Sequence, residues 1–313
     1  MADANVGLLL STTLKNYRKT LTDNIHKSNA VFYQLKKGGY IKEEDGGERI
    51  VEPLMYGKNT TAGSYSGYDS LDVTPQEGID SAEFNWKQYS ASITIDGKTE
   101  RQNSGSSKII DVLEAKTKQA EMSLTEALST GLFSDGTGNG SKDLTGLEAM
   151  VLASGTYGGI NSTTYPWWKA GVESTSEALG LPKMRTAFNT ASVGGKDTPS
   201  LIVTTQALYE KYEGLFTSTI TMYSSLTKEV VDGGFQTLEF KGIPLVWDEL
   251  CPSGTMYFLN KNHMKLVVHK DANFETTDFV KPENQDARVA QILVMGNLTC
   301  NRRSSFYKLT AKT

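Results

Sequence analysis

The side chains best suited to chemistry are few, and they do not converge. In 313 residues there are three histidines and two cysteines. His26 lies on a helical pattern near the N-terminus, and His263 and His269 flank a strand pattern. None has Cys or carboxylate neighbours at the spacing a metal demands. A structural role is the stronger reading for each, because a ligand or general base needs partners that orient it. Gly63 to Gly67 has the outline of a nucleophile elbow, but Tyr65 stands where the serine must be. Ser225 with Lys228, and Ser305 with Lys308, have the spacing of a serine and lysine pair without the companion motifs that make such a pair catalytic. Gly136, Gly138 and Gly140 follow a helix instead of opening one, so they do not aim N–H groups at a phosphate. As a calcium loop, Asp135, Thr137 and Asn139 fill the first ligand places, yet Gly146 replaces the bidentate glutamate, and a turn is the better account. No catalytic, cofactor-binding or metal-binding residue is assigned. The chain reads as a non-enzyme that needs no cofactor.

Bulk properties narrow the class further. Net charge is −4 and the pI is near 5.6, which argues against a protein whose main task is coating nucleic acid. The N-terminus has no basic and apolar signal, and no apolar run reaches membrane-spanning length. Together with only Cys251 and Cys300, this predicts a chain that is intracellular at synthesis and free of disulfides. Sequons at Asn59, Asn161 and Asn297 are coincidental in a chain rich in Asn, Ser and Thr. The length suits two lobes, but a hydrophobic content of 38% is low and 29 glycines are many. Part of the chain is expected to find its apolar partners on other subunits.

The elements that would position any site are organised around one helix. From Ser106 to Phe133, Ile109, Ile110, Leu113, Thr117, Ala120, Leu124, Ala127 and Leu128 share a stripe at 100° per residue, with Asp111, Glu114, Lys118 and Thr125 opposite. Such a helix is about 40 Å long. A shorter amphipathic helix is predicted from Ser11 to Asn29 with a basic face, followed by a linker from Gln34 to Gly47. Arg49 to Glu100 reads as a two-stranded excursion, with Ile50 to Met55 going out, a tip at Gly57 to Asp72, and Phe84 to Ile95 returning. A phase shift between Trp86 and Tyr89 predicts a bulge. No adjoining sequence would cover this ribbon, so a neighbouring molecule is its natural cover. Leu144 to Leu152 is a short apolar element, and Tyr165, Pro166, Trp167 and Trp168 anchor a turn or an interface. From Thr175 to Pro282 helices near Pro182 and Leu208 mix with strands at Ser200–Thr205, Thr237–Trp247, Met256–Asn260 and Met264–Lys270. That is an α+β pattern, not a doubly wound one. Two last strands occupy Ala287 to Leu309, with both faces of Val289 to Met295 apolar, so that this strand is expected to be central and to cover the long helix.

That order of parts resembles the major capsid protein of tailed bacteriophages, the HK-ninety-seven fold. The likeness runs through Asn103 to Leu113, the stop Ser134-Asp135-Gly136-Thr137-Gly138, Tyr157-Gly158-Gly159-Ile160-Asn161 with Tyr165-Pro166-Trp167-Trp168, and Phe240-Lys241-Gly242-Ile243-Pro244-Leu245-Val246 followed by Asp248. It implies an N-arm at residues 1–48, an extended β-hairpin E-loop at 49–103, a P-domain with the spine helix at 104–174 and 285–313, and a mixed α+β A-domain at 175–284. The implied function is a structural subunit that self-assembles into hexamers and pentamers of an icosahedral phage head, the virion capsid, around double-stranded DNA, assembled in the host cytoplasm. Implied partners are further copies of the chain, a separate scaffolding protein, a portal, packaged DNA and a decoration protein, with no membrane. Gly38-Gly39, Gly46-Gly47 and Gly97 would serve as joints. Lys58 lies in the excursion, but no acceptor or catalytic glutamate for a lysine crosslink is identified. An encapsulin-like shell and an α+β hydrolase with an unrecognised site are the alternatives, and the thin His and Cys inventory weighs against the second.

Overall fold

The computed structural model describes residues 30–102, 112–215, 238–283 and 285–313. The helix expected at Ser11–Asn29, the first turns of the long helix, and Phe216, Ser225 and Lys228 lie outside them. In chain order the main elements are α1 (Ala30–Lys37), β1 (Ile41–Glu44), β2 (Ile50–Met55), β3 (Ile79–Phe84), β4 (Lys87–Asp96), α2 (Gly97–Gln102) and α3 (Val112–Leu132). They continue with α4 (Leu147–Met150), β5 (Thr156–Tyr157), β6 (Ile160–Asn161), β7 (Gly171–Glu173), α5 (Leu181–Ala191), β8 (Leu201–Thr204) and α6 (Gln206–Gly214). The last are β9 (Leu238–Phe240), β10 (Ile243–Trp247), β11 (Met256–Leu259), β12 (Met264–Thr276), β13 (Ala287–Cys300) and β14 (Tyr307–Leu309). The mixture of helices with largely antiparallel and partly parallel sheets is α+β.

The chain divides into two compact units. The first contains the described residues of Tyr89–Leu128 and Ala272–Val294. Here the alternation of Tyr89, Ala91, Ile93 and Ile95 becomes the inner face of β4, with Ile93 and Ile95 buried. Ala120, Leu124 and Leu128 of the helical stripe are buried as their spacing predicts, whereas Ala127 is exposed. The Lys116 ammonium donates to the Thr94 carbonyl at 2.8 Å, tying α3 to β4. The Asp96 carboxylate caps α2 by accepting the Thr99 N–H at 2.9 Å. Val289 to Val294 alternates between buried and exposed positions, so the expectation of two buried faces is corrected. Leu293 is left at the surface, and burial becomes continuous only from Gly296 onward. The strand is nonetheless internal to its sheet, in the order β1-β12-β13-β4.

The second unit contains the described residues of Ser28–Gln88, Ser129–Asp271 and Met295–Thr313. Its largest sheet runs β7-β14-β11-β8-β10-β9. β10 lies parallel to β8, and β11 antiparallel to both β8 and β14. Met184, Ala187 and Ala191 of α5 and Leu208 and Tyr212 of α6 pack with Ile202, Leu245, Met256 and Phe258 of the sheet, at the helical spacings of the sequence. The stretch Thr237–Trp247 is two strands, not one. Lys241 and Gly242 both take positive φ, 53° and 76°, which is the geometry of a tight two-residue hairpin. Leu215 follows α6 as its C-cap and is exposed.

The presumed linker Gln34–Gly47 proves to be structured. Val31, Phe32, Gln34 and Leu35 of α1 are buried, and β1 adds a parallel strand to β12. The buried Asp248 carboxylate accepts the Val31 N–H at 3.2 Å, and the Ala30 N–H as well, so a residue more than two hundred positions away caps α1. Burial raises the pKa of this carboxyl above its usual value, against the hydrogen bonds that lower it. Asp248→Ala is expected to destabilise the chain by about 1–2 kcal/mol through loss of this cap, with Asp248→Asn intermediate, both read by thermal melting. Leu124→Asp places an unpaired charge at a site 2% exposed. It should leave the protein insoluble or without a cooperative melt, and a soluble variant that melts normally would show the stripe to be unburied.

Candidate assembly surface

β2 and β3 pair antiparallel from Ile50 opposite Phe84 to Met55 opposite Ile79. With side chains alternating along each strand, Ile50, Leu54, Ala82 and Phe84 line one face and are buried. Val51, Met55 and Ile79 line the other, where Met55 is 83% and Ile79 78% exposed. The return strand thus begins at Ile79 and ends at Phe84, and the predicted bulge is a break at Asn85 and Trp86 after which β4 joins a different sheet. That break is pinned. Asn297 donates to the Asn85 carbonyl at 2.8 Å, and the Trp86 indole N–H donates to the Gly47 carbonyl at 2.9 Å. Beyond β2, residues 57–78 form no regular strand and expose Tyr65, Tyr68, Leu71 and Val73.

The inner face has cover from its own chain, which corrects the expectation of a ribbon bare on both sides. Phe84 meets the Tyr157 ring edge-on at 5.1 Å, and the Glu83 N–H donates to the Gly158 carbonyl at 3.0 Å. Only glycine fits at 158, since φ is +59° and an added Cβ would lie 2.9 Å from the Ala82 methyl. Trp167 stacks on Tyr56 at 5.2 Å with planes 10° apart, while Trp168 is buried and donates its indole N–H to the Tyr157 carbonyl at 2.9 Å. The tryptophan pair therefore anchors a turn, as its sequence suggests.

Behind these rings lies Arg303, which nothing in the spacing of the sequence points to. Its guanidinium sits 5.1 Å from the Tyr157 ring centroid and 5.9 Å from that of Trp168. Its Nε donates to the Met150 carbonyl at 2.8 Å and Nη2 to the Leu152 carbonyl at 3.0 Å. Burial lowers its pKa from the usual arginine value. Two buried lysines of the tail are paired instead: Lys308 with Glu148 at 2.7 Å, and Lys312 with Glu177 at 3.0 Å. In the sequence Lys308 stands out by its spacing from Ser305 and by its position between Tyr307 and Leu309, and neither points to Glu148.

Among the described residues, those considered for chemistry lie apart and are engaged by other contacts. His263 faces Asp197 Oδ2 through Nε2 at 2.6 Å and Asn301 Oδ1 through Nδ1 at 2.7 Å. Arg302 donates to that same Asp197 oxygen at 3.2 Å, and the Asn260 amide to the other. This cluster fixes the turn between α5 and β8. His269 accepts the Asp271 N–H and lies edge-on to Trp86 at 5.7 Å. Cys251 and Cys300 are buried, and burial pushes the Cys300 thiol up to about 12, far from a reactive thiolate. Ser305 is buried, and its sequence partner Lys308 is held by Glu148. Asp135 accepts the Thr137 N–H and hydroxyl, which lowers its carboxyl pKa, in keeping with a turn. Among the described residues no group of three His, Cys, Asp or Glu could hold a metal ion, and no helix is long and apolar enough to cross a membrane.

No family model matches the sequence, and no curated protein does. Solved structures do. The capsid asymmetric unit of cyanophage A-1(L) superposes with a TM-score of 0.72 at 17% identity, covering 96% of this chain and 97% of that one. The capsid of the native GTA particle gives 0.64 at 10% identity, with 100% and 99% covered. The holo-SrpI encapsulin complex of Synechococcus elongatus PCC 7942 gives 0.61 at 9% identity, with 97% and 95% covered. The chain has the HK-ninety-seven capsid fold. At these identities the likeness speaks to fold, and it extends over essentially the whole chain in each case.

In this capsid fold the Arg303 junction carries the ribbon base. Arg303→Ala removes the side-chain donor to the Met150 carbonyl and packing from two rings, and should cost about 3 kcal/mol. Arg302→Ala, at a pair 41% and 24% exposed, should cost under about 1 kcal/mol. Denaturant melts of the two variants check the contrast, and equal losses would contradict it.

Proposed function

We propose that the chain is the major capsid protein of a tailed-phage head, a non-enzymatic subunit that self-assembles into hexamers and pentamers around double-stranded DNA. The observation that carries this reading is the ribbon: one face is docked on its own chain, while the opposite face presents Val51, Met55 and Ile79 to solvent. A paired row of this kind is a place for another molecule, and obligate interfaces of ~2,000 Å² or more are built from such surfaces. In this scheme residues 49–103 reach a neighbour as the E-loop, 1–48 form the N-arm, 104–174 with 285–313 the P-domain, and 175–284 the A-domain. A separate scaffolding protein, a portal and a decoration protein complete the particle, which assembles in the host cytoplasm.

An encapsulin-like shell is the second reading, favoured by the fold likeness to the SrpI complex. The two differ in contents. A phage head holds DNA, and an encapsulin holds protein cargo.

Purified protein should form capsomers, sheets, tubes or closed shells in negative stain, and a monodisperse monomer under all ionic conditions would refute the reading. Particles recovered with the neighbouring genes co-expressed should carry nuclease-protected DNA if the phage reading holds, and a stoichiometric protein cargo if the encapsulin reading holds. Replacing residues 57–78 by a short glycine-containing turn should leave circular dichroism and melting nearly unchanged, since loop closure differs by well under ~2 kcal/mol. Sedimentation should then show assembly lost or irregular. Normal shells from that variant would show that the excursion does not bridge subunits.

A further inference from the structure

Asn139-Gly140 is the only Asn-Gly pair in the sequence, and it sits in the turn Gly138–Ser141 that follows the long helix. Asn139 has φ 50° and ψ 40°, Gly140 φ 67° and ψ 39°, and Ser141 φ 64°, so three successive residues are left-handed. Glycine adopts that geometry freely and asparagine tolerates it, but serine is strained there. Two backbone bonds close the turn: the Ser141 N–H donates to the Thr137 carbonyl at 3.1 Å, and the Lys142 N–H to the Gly138 carbonyl at 3.2 Å. The Lys87 ammonium donates to the Ser141 carbonyl. Asn139, Gly140, Ser141 and Lys142 are all exposed, and a Cβ placed on Gly140 would meet nothing within 4 Å. A strained, exposed turn with few ties stands at the low end of local stability.

Other asparagines of the same unit are followed by residues that are held. Ser162, after Asn161, is buried and donates its N–H to the Gly155 carbonyl at 3.0 Å. Lys261, after Asn260, donates its N–H to Ser200 Oγ at 2.9 Å. Leu298, after Asn297, is buried.

We propose that Asn139 is a site of spontaneous deamidation in the folded chain, with water as the only co-reactant. When the turn opens, the Gly140 main-chain nitrogen loses its proton to solvent base and attacks Asn139 Cγ. A bond forms between that nitrogen and Cγ, the bond from Cγ to Nδ2 breaks, and ammonia leaves with a proton from solvent. The product is a five-membered succinimide. Water then adds to one of its two carbonyls. Breaking the bond from Cγ to the Gly140 nitrogen gives aspartate, and breaking the bond from the Asn139 main-chain carbon gives isoaspartate. Gly140 favours this route because no side chain crowds the approach to Cγ. Each conversion adds a carboxylate beside Lys142, and isoaspartate lengthens the main chain by one carbon, which the left-handed turn cannot accommodate.

The test is peptide mass spectrometry on the full chain held at neutral pH, with isoaspartate separated from aspartate by fragmentation. The peptide carrying Asn139 should gain one mass unit ahead of those carrying Asn59, Asn161 and Asn260. Its rate should rise with pH, because the attacking amide must lose its proton. Asn139→Gln should abolish the product, since the ring would need six members. Lys87→Ala frees the Ser141 carbonyl and should speed conversion about fivefold, the weight of one hydrogen bond. The same chain in urea gives the rate for an open turn. A native rate within about a hundredfold of it supports the site. A slower native rate would show that the turn shields the bond, and that result, or earlier conversion at another asparagine, overturns the proposal. An unchanged rate in Lys87→Ala would overturn the route through opening of the turn. None of these readouts depends on assembly, so the proposal and the shell reading fail separately.

Discussion

The guanidinium of Arg303 is the contact on which the ribbon's support depends. A charge with almost no exposure is costly to bury, and here the cost is offset by two aromatic faces and by carbonyls at the end of a short helix. Those carbonyls belong to Met150 and Leu152, and the rings belong to Tyr157 and Trp168. One side chain thereby joins the segment after the long helix, the aromatic loop and the C-terminal tail. The ribbon base rests on that assembly through Phe84, Gly158 and Tyr56.

The tail is held by the same principle at two further points. Lys308 meets Glu148 and lies near the Tyr257 ring, while Lys312 meets Glu177 and the Thr175 carbonyl. Removing one partner from such a pair strands a buried charge, so these contacts specify where the tail lies more than they add net stability. The tail also completes the six-stranded sheet, since β14 sits between β11 and β7. β7 and β14 thus share one sheet with β8, β9, β10 and β11.

This architecture sets rigidity beside reach. A docked ribbon base is stiff because one face is buried and its neighbours are aromatic. The open face and the tip contribute little to their own subunit, so they are free to be shaped by contact with another molecule.

What the sequence determines by itself is what local periodicity can encode. The stripe of Ala120, Leu124 and Leu128, the buried face of Met184, Ala187 and Ala191, and the alternation ending at Ile93 and Ile95 all appear where their spacing puts them, because side-chain direction repeats every 3.6 or 2 residues. Other features depended on contacts between distant segments. Gln34 to Gly47 looked like a linker because its two glycine pairs hid a short helix capped by Asp248 and a strand whose partner lies more than two hundred residues on. The ribbon's two faces read alike in sequence, since Ile50 and Leu54 are as apolar as Val51 and Met55. Only the approach of Tyr157, Gly158 and Trp167 decides which face is covered. Arg303 carried no signal, because a single basic residue in a tail is normally solvated, and it becomes structural only when two rings and two carbonyls from elsewhere in the chain close around it.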